Sequence, residues 1–127
     1  MKIAANIAGG LLGLMFIAFS LMVLLKLGEA PKMDPESNAA KFMAVFAPTG
    51  YLTFVKVCEL IGGILVAIPK TRNFGLLVLG PIIINILAYH GFVTAGDGLL
   101  SPVILVIVAL ALFLLFAGRK QFAALRN

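Results

Sequence analysis

Four apolar runs, at roughly Ile3–Leu25, Tyr51–Ile68, Phe74–Phe92 and Leu99–Ala117, constrain this chain of 127 residues more than anything else in it. Each approaches the ~20 residues with which an α-helix crosses a ~30 Å hydrocarbon core. Hydrophobic residues make up 62% of the sequence and charged ones 12%. A soluble domain is about 45–50% apolar and cannot enclose more at this length. The sequence therefore reads as an all-α membrane protein, a single domain over residues 1–127 folded as a four-transmembrane-helix bundle, with helices expected at about 3–27, 51–68, 74–92 and 101–117. Lys2 before the first run suggests a secretory signal, but the apolar stretch exceeds the usual ~7–15 residues and Pro31 after Ala30 makes a poor cleavage junction. The first run is read as an uncleaved helix.

Charge placement orients the chain. Lys2, Lys70, Arg72, Arg119, Lys120 and Arg126 fall on one side with no acidic residue, while Lys26, Lys32 and Lys41 share the other with Glu29, Asp34, Glu36 and Asp97. The positive-inside rule then puts both termini in the cytoplasm of a multi-pass protein whose first partner is the lipid bilayer. The net charge of +5 sits in short juxtamembrane segments, which argues against nucleic acid as a partner.

Between helices one and two lies the only long connection, from Gly28 to Gly50. Asp34–Pro35–Glu36 reads as an N-cap, a proline at the first helical position and an acid near the positive end of the dipole. A short outer interfacial helix is expected at about 35–46, with Ala39, Phe42, Met43 and Phe46 on one face. It would anchor the chain at the surface, where it could also lid an outer pocket.

Lys56 and Glu59 stand inside the second apolar run. Each charged side chain there costs about 2.5–3.5 kcal/mol on insertion scales, so the pair asks for a reason. The i, i+3 spacing puts both on one helical face, and Gly63 continues that stripe. Either the two neutralise each other and lock the packing, or one contacts a ligand or moves a proton. Helix three adds Pro81, expected to bend it, with Asn85, Tyr89 and His90. By helical rise, Lys56 and Glu59 lie about 8 and 12 Å below the outer end of helix two, and His90 and Asn85 about 3 and 10 Å below that of helix three. These groups share an outer-leaflet depth, although Asn85 and His90 are about 140° apart on an ideal helix. Lys26 closes helix one, either snorkelling to the headgroups or tipping toward Glu59. Candidate ligand-binding residues are accordingly Lys26, Lys56, Glu59, Asn85, Tyr89 and His90. Helix four, apolar from Val103 to Phe116, can only be a wall.

Glycine spacing in helix one, Gly9 to Gly13, allows close approach to another helix, within the chain or across a homodimer. The lone Cys58 excludes an internal disulfide and a C-x-x-C redox pair. One histidine and one cysteine supply no zinc cluster, and no phosphate-cradling glycine loop or hydrolase-type serine is present.

The pattern Lys56-x-x-Glu59-x-x-Gly62–Gly63, with Pro81-x-x-x-Asn85-x-x-x-x-His90 and Lys26 closing helix one, resembles the DoxX-like family of small four-helix membrane proteins over nearly the whole chain. The resemblance implies a bacterial inner-membrane bundle, some of whose relatives are associated with thiosulfate or quinol oxidation. Without paired cysteines, the chain departs from four-helix quinone-linked thiol oxidoreductases. The leading expectation is an accessory subunit of a membrane redox system, not catalytic alone, that binds a small amphipathic molecule, with quinone as the candidate cofactor. The alternative is a structural or assembly partner without a ligand. A proton-coupled transporter ranks third, since four helices leave little room for alternating access.

Overall fold

A computed structural model describes residues 1–29 and 32–126; the Ala30–Pro31 junction lies outside the described residues. Among them the fold is helical, with no strand. Helix α1 spans Lys2–Leu24. It ends in a Schellman reversal: Lys26 N–H donates to the Val23 carbonyl at 3.2 Å and Leu27 N–H to Met22 at 2.8 Å, with Lys26 itself at φ 54°.

Helix α2 is Asn38–Phe46. Its N-cap is Ser37, whose hydroxyl accepts from Ala40 N–H at 3.1 Å. Asp34 instead closes the preceding turn, accepting from Glu36 N–H at 3.0 Å, so the helix starts three residues later than the Asp34–Pro35 signal suggested. Ala39, Phe42, Met43 and Phe46 are half-buried and Asn38, Lys41 and Val45 exposed, the face expected from their spacing.

Gly50, left-handed at φ 83°, turns the chain into α3, Tyr51–Ala67, at 88° to α2. A short 3-10 turn, Pro69–Thr71, follows, and the Thr71 hydroxyl donates to the Leu65 carbonyl at 2.8 Å, satisfying a free end of α3. Helix α4, Arg72–Ala88, runs through Pro81 as one helix; the irregularity falls instead at its end, where Tyr89–Val93 form a π-helical turn. Ser101 caps α5, Pro102–Ala117, with Pro102 in its first turn as the Ser-Pro pair leads one to expect. A five-residue helix, α6, Arg119–Ala123, completes the described chain.

Helices α1, α3, α4 and α5 pack as neighbours in that cyclic order. The closest approach is through glycine. A Cβ on Gly13 would lie 2.5 Å from the Gly63 carbonyl oxygen, and one on Gly75 2.8 Å from Val66 Cα. The Gly9/Gly13 face is thus filled by α3 of the same chain. Leu12, Phe16, Val66, Leu76, Leu79, Ile107 and Leu114 form the core, while Ile3, Phe74, Ile84 and Leu112 face outward.

Among the described residues, Lys2–Leu24 and the continuous Pro69–Val93 are long and apolar enough to cross a membrane, and the bent α2–α3 pair raises the number to three. Helix α5, at 16 residues, is shorter, about 24 Å of rise. The apolar helices and their outward side chains fit a membrane protein.

Candidate functional site

Lys56 and Glu59 form the ion pair their spacing allows, Nζ to Oε2 at 2.8 Å. It is asymmetric: the Glu59 side chain is 4% exposed and that of Lys56 26%. Glu59 is buried because it continues the packed stripe of Gly62, Gly63 and Val66. From the facing Gly13 and Gly63, two further turns of antiparallel register bring Ser20 level with Lys56. Ser20 is fully buried and its hydroxyl donates to the Phe16 carbonyl at 2.5 Å. It therefore spends its donor on its own helix. Two hollows open elsewhere in the described molecule, and neither is lined by Lys56 or Glu59. Glu59 sits within the packing, its charge satisfied by the partly exposed Lys56.

The other candidates do not gather around it. Gly62 faces Leu79, and six residues further along both helices Asn85 comes level with Lys56. Asn85 is nevertheless exposed, beside the outward Ile84. Lys26 is exposed in its helix cap.

Tyr89 and His90 belong to the π-helical turn and to a different cluster. His90 Nδ1 lies 3.2 Å from the Asp97 carbonyl oxygen. A carbonyl can only accept, so Nδ1 carries the proton in this contact. Thr94 Oγ1 lies 2.8 Å from both the His90 and Asp97 carbonyls, pinning the same turn. Tyr89 packs edge-on against Phe42 with centroids 5.0 Å apart, Phe42 lies 4.5 Å from Phe46, and Phe46 5.0 Å from Tyr51. This chain of rings joins α2, α3 and the π-helical turn.

Beside the rings is an open groove of about 470 Å³, lined by Asn38, Lys41, Phe42, Val45, Phe46, Phe92 and Val93. Its apolar floor and single rim cation suit an amphipathic molecule. The i, i+4 pair Phe42 and Phe46 marked one wall in the sequence. The other wall depends on the π-helical turn, which no residue spacing announces. Quinone needs flat apolar surfaces and a donor for a carbonyl oxygen. The phenyl rings here, with Lys41 and the Asn38 amide, are groups of that kind.

Compared with known proteins, the chain matches no family model, no curated protein and no solved structure.

Proposed function

We propose that the protein is a four-span, DoxX-like inner-membrane protein with both termini in the cytoplasm, and that it binds a small amphipathic molecule at the opposite end. In this reading α2 is the interfacial helix, and the protein serves as an accessory subunit of a membrane redox system with quinone as the ligand class. The carrying observation is the groove between α2 and Phe92–Val93. Lys41 would hold the polar head and Phe42, Phe46 and Phe92 the apolar body. Any electron transfer would belong to the ligand's own ring; the chain supplies the apolar walls, the cation and the bend that holds α2 across the end of α3. Support for the topology comes from the exclusively basic residues at the end carrying the termini and from the 88° turn that lays α2 across α3.

The test is lipid extraction of the purified protein followed by mass spectrometry. Enrichment of a quinone or another single amphiphile, reduced by Phe42→Ala, is the expected result; bulk membrane lipid alone would overturn the ligand claim.

One observation favours the structural or assembly role as a second reading. Asn85 places an amide on an outward stripe with Phe74, Leu77, Pro81 and Ile84. In hydrocarbon, an amide is better satisfied by another helix than by lipid. Asn85→Leu that dissociates a native complex while leaving the bound amphiphile in place would favour this role.

A further inference from the structure

The end of the molecule that carries the termini holds a second hollow, of about 320 Å³. Among the described residues Lys2, Arg72, Asn73, Gly118 and Gln121 line it, and no carboxylate does. Several elements build it. Arg72 opens α4 and reaches across to α1, where Nη1 donates to Asn6 Oδ1 at 3.0 Å. Its Cδ packs where Gly9 lacks a side chain, 3.1 Å from the position of a Cβ. The guanidinium has five N–H donors, and among the described residues it spends one on Asn6, which leaves most of the fork for something else. Across the hollow, Gly118 admits the Asn73 amide, whose Oδ1 lies 2.8 Å from the position of a Cβ there. By contrast, Arg119 is engaged elsewhere, donating to the Phe116 carbonyl at 2.8 Å and stacking 4.1 Å over its ring.

Two cations, two side-chain amides and no acid make a receptor for a phosphate group. The arginine fork matches two phosphate oxygens, and the lysine supplies a point charge. Outward apolar side chains run away from the hollow on two of the helices that form it, Ile3 and Ile7 on α1 and Phe74 and Leu77 on α4. We infer that the hollow binds the phosphate of an anionic phospholipid, whose acyl chains lie along these residues. The site is at the opposite end from the groove and rests only on the membrane part of the proposed function.

The test uses the full chain in nanodiscs of phosphatidylglycerol and phosphatidylcholine, with retained lipid read by native mass spectrometry and membrane fractionation of the same cells read in parallel. Phosphatidylglycerol is retained over phosphatidylcholine. Lys2→Gln, an exposed change that leaves the packing alone, weakens the retention about tenfold, the loss of one charge-assisted contact to the phosphate. Arg72→Lys weakens it too, because the charge remains but the fork is lost. Lys70→Gln removes an exposed charge at the same end but outside the hollow and stays within about twofold of wild type. Equal retention of the two lipids overturns the inference, as does an equal loss in Lys2→Gln and Lys70→Gln, which would mean diffuse surface charge. Lipid-free protein stabilised by inorganic phosphate, with no preference for phosphatidylglycerol, would overturn the lipid source and leave a soluble phosphate compound as ligand. A protein absent from the membrane fraction fails the membrane reading itself, whatever the hollow binds.

Discussion

At the end where the termini gather, α1, α3 and α4 touch backbone to backbone; at the other end, the chain is held together by rings. Gly13 lies against the Gly63 carbonyl and Gly75 against Val66, with nothing between the helices to adjust. Phe42, Phe46, Tyr51 and Tyr89 instead bridge α2, α3 and the π-helical turn, Phe42 and Tyr89 edge to face and the other pairs tilted, all of them half-buried or exposed. Small residues bring helices close enough for dispersion to hold them in lipid, where no hydrophobic force drives them together. Rings span wider gaps and leave space beside them. The tight half therefore fixes how α1, α3 and α4 cross, the ringed half leaves an open groove beside its rings, and the Lys56–Glu59 pair lies at the seam.

The strongest way to break this contrast is to open the tight half. Gly75→Leu puts four carbons where a single Cβ would already lie 2.8 Å from Val66 Cα and 2.9 Å from the Gly62 oxygen. No folded protein should be recovered in detergent, because overpacking typically costs about 1–3 kcal/mol even where side chains can yield. Gly10→Ala is the contrast: no atom lies within 4 Å of its Cβ, and the protein should unfold at equal or higher denaturant.

At the seam, Lys56→Met strands the buried Glu59 carboxylate and should cost about 3–5 kcal/mol in equilibrium unfolding. Glu59→Leu should cost less, since the partly exposed Lys56 can turn outward. The double variant should return near wild-type stability. A fully folded double variant that also keeps its bound amphiphile assigns the pair to packing alone.

A smaller effect, confined to the ringed half, is expected from Phe42→Ala, about 2 kcal/mol for a half-buried ring. Hydrogen exchange should quicken over residues 89–98 and stay unchanged over 62–79. Quickening throughout would show that the two halves open together. Smallest is Thr94→Val, which removes the hydroxyl held between the His90 and Asp97 carbonyls and should cost about 1 kcal/mol. It would be read as faster exchange at Gly96 N–H, bonded to the His90 carbonyl at 2.7 Å.

Much of this was legible one residue at a time. The helix ends near 67 and 117, the amphipathic face of α2, the Ser101–Pro102 start and the i, i+3 ion pair are all local consequences of spacing and caps, whereas helix one, expected to run to about 27, turns at Leu24. Ser20 was overlooked, although it continues the stripe of Gly13 and Phe16 at helical intervals. The assembly of the candidate site was not legible. Depth along a helix follows from counting, and it put Asn85 level with Lys56; which neighbour covers a face does not follow from counting.

Composition and local spacing were sufficient to make this a helical protein suited to a bilayer, to gather its unbalanced positive charge toward one end and to bring Lys56 to Glu59, because each depends on residues a turn or two apart. Tertiary structure alone decided that α3 fills the glycine face of α1, that Asn85 looks outward, and that the π-helical turn carries Tyr89 to the rings of α2 and His90 to the Asp97 carbonyl. Those outcomes depend on how helices distant in sequence cross, and there the cyclic packing of α1, α3, α4 and α5 separates residues that counting along single helices had grouped.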